Sequence, residues 1–288
     1  MSTYVVGDIH GCYDEWMSLK NEIESKDPEA RFILTGDIVD RAPKMKEMLD
    51  WAMEHISPDG KYQMVLGNHE YLKLQWATHY STYPPTTDTP SFHKFPPEHY
   101  YFELFCKTHF KTDAELIKVI DWMKSLPLYI ESPIEYGDNT INFIVCHGDI
   151  RERYLDESGK VNPELIRICK ADEAIVWDRN YYGHDWEYPT IIVHGHSPTG
   201  LDELVELGAA PCLIDFRDHD INLDCGCCFN HPLANLSAIR LEDLEEFYAR
   251  PVKTELYQEL QEDGLIFTRD EEKEKIKQLL NIPTQCLK

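Results

Sequence analysis

The sequence predicts an α/β fold, on three observations. Short apolar runs of strand length alternate with amphipathic helical stretches from the N-terminus onward. The second half is richer in strands, and five of the runs stop on Asp, Asn or His with a glycine beside it. Three strand-turn-helix units in a row imply a βαβ architecture.

Each element has its own reason. "TYVVGD" reads as a buried strand, and "YDEWMSLKNEIES" after it places Trp16, Leu19 and Ile23 on one helical face. "RFILTGD" is a second strand; in "PKMKEMLDWAMEHI", Pro43 suits a first helical turn and Met45, Met48, Leu49, Ala52 and Ile56 form a stripe. "YQMVLGN" is a third strand leading into the helix "EYLKLQWATHY", where the charge of Glu70 suits the N-terminal dipole. Residues 80–99 carry five prolines and no periodicity, a loop longer than compact domains usually hold without a purpose. Helix resumes at "TDAELIKVIDWMKSL", with Thr112 and Glu115 in capping-box spacing. Strands follow at "LYIES", "TINFIVC", "TIIVHG", "PCLIDF", "INLDC" and "NLSAIRL", and a last helix spans about 268–281, with Thr268 and Glu271 in box spacing. No internal repeat or low-complexity linker divides the chain, so one domain over 1–288 is expected, with an insertion at about 80–125.

Composition limits the partners. A net charge of -24, from 52 acidic and 28 basic residues, repels polyanions and argues against a nucleic-acid polymer as partner. Small phosphorylated substrates stay open, because a local cation site overrules a distant field that salt screens within about 10 Å. No apolar run approaches the roughly 18 residues of a membrane span. Nine scattered cysteines with no export signal read as a reducing cytoplasm. Cys225, Cys227 and Cys228 lack a second pair to complete a zinc tetrad, and the expectation is that they pack as small hydrophobes.

The chemistry collects where strands stop. "VVGDIHG" delivers Asp8 and His10; "ILTGDIVDR" delivers Asp37, Asp40 and Arg41; "VLGNHE" delivers Asn68 and His69; "FIVCHGD" delivers His147; "IIVHGHS" delivers His194 and His196. The carboxyl ends of strands in an open α/β sheet lie along one edge, so these residues converge. Asp8, His10, Asp37, Asn68, His147 and His196 are six oxygen and imidazole donors, more than one tetrahedral zinc uses. Two divalent ions sharing a bridging carboxylate account for the number; manganese leads, with iron or zinc open.

In order, "GDIHG", "GDIVDR", "GNHE", "CHGD" and "HGHSP" resemble the signature blocks of calcineurin-like metallophosphoesterases, in particular the phosphoprotein phosphatase branch and its bacterial and phage members. The resemblance implies a four-layer α/β/β/α sandwich with a dimetal site at the strand ends. It assigns Asp8 and His10 to the first metal, Asp37 to the bridge, and Asn68, His147 and His196 to the second. It matches Arg41 and Arg179, with Asn68, to phosphate binding, His69 to the general acid and Asp40 to the carboxylate that orients it; His194 falls outside these roles. Asp224 and Gly226 match the strand after the last histidine block. The chain departs from the family at Ala42, where glycine is usual. If that position needs a positive φ, alanine is strained by roughly 1–2 kcal/mol, unless Pro43 forces extended geometry.

The expected mechanism is direct attack on phosphorus by a water that bridges two cations and loses its proton near neutral pH. The expected reaction is hydrolysis of phosphoserine or phosphothreonine, with phosphotyrosine open, in proteins or peptides. Two alternatives stand beside it. One is a phosphoanhydride hydrolase of the symmetrical dinucleoside tetraphosphatase type, in which Tyr181, Tyr182 or Trp186 would stack a base; the other is a non-catalytic scaffold. Loops at 80–99, with Phe92, His93, Phe95 and Tyr100, and at 180–189 are placed to choose the substrate. Metal identity, substrate and oligomeric state are open at this point.

Overall fold

A computed structural model describes residues 2–82 and 110–280. The loop at 80–99 and the first part of the 80–125 insertion lie almost wholly outside the described residues.

Strands β1 (Thr3–Val6), β2 (Arg31–Leu34) and β3 (Tyr62–Met64) alternate with helices α1 (Tyr13–Lys26), α2 (Met45–His55) and α3 (Asn68–Thr82). Helix α4 (Asp113–Lys124) follows, then β4 (Tyr129–Tyr136), β5 (Asn139–Cys146), the short helices α5 (Pro163–Cys169) and α6 (Asp172–Trp177), β6 (Thr190–His194) and α7 (Asp202–Glu206). The chain continues through β7 (Asp215–Arg217), β8 (Asp220–Asn222), β9 (Ser237–Arg240), β10 (Glu245–Tyr248), α8 (Thr254–Glu262) and α9 (Arg269–Leu279).

The strands form two five-stranded sheets, ordered β10-β9-β1-β2-β3 and β4-β5-β6-β8-β7. Parallel pairs run β1 to β2 to β3 in one and β5 to β6 to β8 in the other, with antiparallel strands at the edges. Period-two alternation sends each strand's side chains to two cores. From β1 and β2, Val5 and Ile33 meet Phe143, Val145, Ile191, Val193 and Ile221 between the sheets. Their neighbours Tyr4, Val6, Phe32 and Leu34 face Trp16, Leu19, Ile23 and Met48 of α1 and α2. On the far side Ile144, Cys146 and Ile192 pack on Ile166 and Ile175. Helix, sheet, sheet, helix is the four-layer sandwich, and strands covered on both faces read as continuous apolar runs for that reason.

Several elements depart from expectation. The expected strand "PCLIDF" begins only at Asp215; β10 and the short helices α5 to α7 carry no periodic signal long enough to read, while α8, with Leu256, Tyr257 and Leu260 on one face, was not singled out. Thr112 caps α4 by accepting from Glu115 N at 3.3 Å, but Thr268 makes no such bond to α9. There Arg269 and Lys273 hold the helix through Glu246 instead.

Candidate metal centre

Asp8, His10, Asp37, Asn68, His147 and His196 are all buried and meet at the carboxyl ends of β1, β2, β5 and β6 and the start of α3. Asp37 is central: one group of close donor atoms comprises His10, Asp37 and His69, another Asp8, Asp37 and His147. The structure thus sets Asp8 beside His147 as well as near the Asp37 bridge position.

The histidines spend their outer nitrogens on the backbone. His10 Nδ1 pairs with Val39 O at 2.8 Å, His147 Nδ1 with Thr35 O at 2.8 Å, and His196 Nε2 with Trp177 O at 3.2 Å. Burial lowers all three from the ordinary histidine value, His10 to about 4 and His196 to about 3, so each ring is neutral at pH 7 with its one proton facing out. The inner nitrogens therefore present lone pairs to other acceptors. His10 Nε2 lies 3.4 Å from Asp37 Oδ2, His147 Nε2 lies 2.8 Å from Asn68 Oδ1, and His196 Nδ1 lies 3.0 Å from the same oxygen. Lone pairs converging on carboxylate and amide oxygens fit divalent cations and nothing apolar, and ring orientation by an outer hydrogen bond is how metal-binding histidines are held.

Electrostatics agree. Burial and the nearby Asp224 and Asp37 carboxylates push Asp8 well above the usual carboxylate range, and Asp224, buried beside them, rises to about 6. Asp37 stays below that range despite its burial: His69, the neighbouring imidazole held above its ordinary value, lies beside it, and His69 N donates to its Oδ1 at 2.8 Å.

The sharp turns at the strand ends fall on the candidate donors themselves as well as on Gly11 and Gly36. His10, Asp37, Asp40, Arg41 and His196 themselves adopt the left-handed region, with φ of 45°, 49°, 68°, 72° and 66°. Each non-glycine residue there costs about 1–3 kcal/mol, a strain that clusters at functional sites. Ala42 is not among them; its N–H donates to His10 O at 3.0 Å, so the departure at that position is harmless. Gly67 and Gly195 serve close approach: a Cβ would stand 2.3 Å from Asp37 Oδ1 and 1.9 Å from Asp8 Oδ1, respectively.

Around this core, His69 Nδ1 pairs with Asp40 Oδ2 at 2.7 Å, and Lys73 donates to the same oxygen. Burial would lower His69, but Asp37 and Asp40 hold it above the ordinary histidine value. Arg41 lies over the exposed ring of Phe229 at 5.5 Å, with Nη1 donating to Cys228 Sγ at 3.9 Å. Arg179 Nη1 donates to Ser197 Oγ at 3.4 Å, and Trp177 packs edge-on against His196.

Thr35 was not singled out from sequence, and Glu70, His194 and Trp186 take roles that the sequence left open or read otherwise. Thr35 links two ligands, donating to Asp8 Oδ1 at 3.0 Å while its carbonyl accepts from His147. Glu70 does open α3, but its carboxylate is fully buried and accepts from Asp37 N, Ile38 N and Val39 N at 2.9, 3.0 and 3.3 Å. That fixes the turn carrying Asp37. His194 is no ligand: it donates to Gly195 O and to Asp220 Oδ1 at 2.8 and 3.0 Å. Burial would lower it, yet Asp220 raises it to about 9. Trp186 is buried, stacked on His184 and bonded to Thr190 O, and offers no face to a base.

The chain is similar to several known proteins. A symmetrical bis(5'-nucleosyl)-tetraphosphatase of Methylobacillus flagellatus is 39% identical over 275 residues, 86% of this chain and 94% of that one. An asymmetrical bis(5'-nucleosyl)-tetraphosphatase of Halalkalibacterium halodurans is 24% identical over 88% of this chain and 96% of its own. A match of 43% identity to a symmetrical enzyme of Cronobacter sakazakii spans 70 residues, 24% of each chain. A solved protein serine/threonine phosphatase from Saccharomyces cerevisiae, 15% identical, superposes over 87% of this chain and 81% of its own with a TM-score of 0.48. Residues 1–229 match the family described as Calcineurin-like phosphoesterase, and the chain belongs to that family.

Proposed function

We propose that the chain is a dimetal hydrolase of bis(5'-nucleosyl) tetraphosphates that cleaves them symmetrically. The observation that carries this reading is that each phosphate-matched arginine has an exposed aromatic residue close to it: Arg41 lies over Phe229, and Trp177 is two residues before Arg179. A four-phosphate chain cut at its middle leaves a nucleoside on each side, and an arginine beside an aromatic ring suits a phosphate followed by a base. The long alignment with the Methylobacillus enzyme supports the same choice. A phosphorylated side chain needs neither aromatic face, so the phosphopeptide reaction expected from sequence becomes the comparator.

Divalent ions held by Asp8, His10, Asp37, Asn68, His147 and His196, with manganese, iron and zinc all suited to these donors, would supply Lewis acidity and a nucleophile from water at neutral pH. Arg41 and Arg179 orient phosphoryl oxygens with planar donors and offset developing charge. His69, held by Asp40, gives a proton to the leaving oxygen. In an anhydride that oxygen belongs to a nucleoside diphosphate and is weakly basic, so His69 has less to supply than in a monoester. Incubation with diadenosine tetraphosphate and manganese should yield two molecules of ADP. ATP plus AMP would point to asymmetric cleavage, and faster phosphate release from phosphopeptides would overturn the reading.

A further inference from the structure

A second cluster of histidine and carboxylate lies at the end of the second sheet, outside the centre described above. Asp149, His184 and Asp220 each offer one atom, and the three atoms lie within 4.8 Å of one another. All are buried, at 2%, 8% and 1% exposure. His184 Nε2 lies 3.0 Å from Asp149 Oδ1 and 3.6 Å from Asp220 Oδ2. Each carboxylate turns its other oxygen to a cationic partner: Asp149 Oδ2 lies 3.0 Å from Arg151 Nε, and Asp220 Oδ1 accepts from His194 Nε2 at 3.0 Å. Carboxylates oriented from behind, with one oxygen left forward, are arranged as metal ligands are.

Two independent observations point to a cation at the forward face. Asp149 Oδ1 and Asp220 Oδ2 are buried and accept no hydrogen bond, whereas buried carboxylate oxygens in native proteins are satisfied by a donor or an ion. The second concerns His184. Asn180 Nδ2 donates to Gly183 O at 2.9 Å and Asn180 Oδ1 accepts from Tyr182 N at 3.0 Å, which fixes the amide. Its amino group also stands 3.2 Å from His184 Nε2, where an N–H on the ring would meet another donor. The ring nitrogen therefore carries its lone pair there, in a 3.2 Å contact from Asn180 that an ion would displace, and the two carboxylate oxygens lie beside it. Trp186, stacked on the ring with centroids 4.1 Å apart, holds His184 in place.

We propose that Asp149, His184 and Asp220 bind a divalent cation of the zinc or manganese class, in addition to the ions of the candidate metal centre. Three protein ligands leave positions for water, and a cleft of about 530 Å³ lined by Arg151, Asp178, His184, Asp185 and Trp186 gives access. The ion would join two turns that serve the centre. Asp149 follows His147 by two residues, and Asp178, 3.2 Å from Arg151 through Oδ2, precedes Arg179.

The test is metal stoichiometry of the full chain, loaded with Zn2+, dialysed and measured by mass spectrometry. Wild type should retain three equivalents and His184→Gln two, with Asp149→Asn as the replacement should the first variant fail to fold. Two equivalents in wild type, or equal content in wild type and variant, would overturn the site and leave a proton-held ion-pair network. A second measurement does not depend on the other centre. Zn2+ should raise the Tm of Asp37→Asn but not that of Asp37→Asn combined with His184→Gln; equal rises in both would sink the idea.

Discussion

Two charged regions of this molecule, one half-buried around Glu246 and one buried at the strand ends, are built on opposite terms. Around Glu246 every charge has a partner: Arg269 Nη2 donates to both carboxylate oxygens at 2.7 Å, Lys273 donates to one of them, and Arg269 Nε caps Ile214 O at 2.9 Å. This network fastens α9 to β7 and β10. At the strand ends, by contrast, Asp8, Asp37 and Asp224 crowd together, imidazole lone pairs face oxygen atoms, and five residues sit in left-handed backbone. The first region is satisfied from within the chain and adds stability. The second brings together donors of the kind that divalent ions would satisfy, and its strain is carried by the rest of the fold.

The largest break in this contrast should come from the bridge position. Asp37→Asn, assayed with saturating manganese, is expected to lose turnover on the order of 10³, with the chain still folded by circular dichroism; unchanged turnover would end the dimetal reading. His69→Asn should follow, with a loss of about 10²–10⁴ on alkyl phosphomonoesters and a smaller loss on anhydrides or a nitrophenyl ester. Equal losses across leaving groups would remove His69 as the acid.

Stability separates the two regions more directly. Glu246→Gln should cost about 1.5–3 kcal/mol in urea unfolding, as expected for hydrogen bonds to charged groups. Its carboxyl is held below the usual value, chiefly by Arg269 and Lys273 against the effect of burial, so this contribution is present above the unfolded glutamate pKa of about 4.3 and is lost as pH falls through the lower folded value. The difference between wild type and variant should therefore shrink below about pH 4. Asp8→Asn should act in the opposite direction in chelator, stabilising the chain by about 0.5–2 kcal/mol through relief of repulsion. Destabilisation by both variants would erase the contrast.

The smallest expected effect is a displaced pH limb. Asp40→Asn removes one of the two carboxylates that hold His69 above its ordinary value, so the alkaline limb of kcat, where the acid loses its proton, should move to lower pH. An unmoved limb would assign it to another group.

Much of the site could be read before the fold was known, because a metal ligand must be a particular residue type at a strand end. Asp8, His10, Asp37, Asn68, His147 and His196 all lie together as the blocks implied. The N-terminal alternation of strand and helix was legible for a related reason: helices of fourteen and eleven residues such as α1 and α2 show several turns of periodicity. Helices α5 to α7, with seven, six and five residues, do not. The polar edge strand β10, "EEFY", hides its one fully buried residue, Phe247, among exposed neighbours.

By itself the sequence determined the kinds of donor, their order and the layered class of the fold, since periodicity and ligand chemistry are properties of residues and their near neighbours. Only the tertiary structure decided which atoms meet. Glu70 reads as a helix-opening charge, yet it holds the Asp37 turn; Trp186 reads as a base platform, yet it is stacked on His184 in the interior. Asp149, three residues past the end of β5, and Asp220, the first residue of β8, converge on one imidazole because β6 pairs with both β5 and β8. Such partnerships join residues tens of positions apart, and pairing across a sheet leaves no periodic trace in the chain.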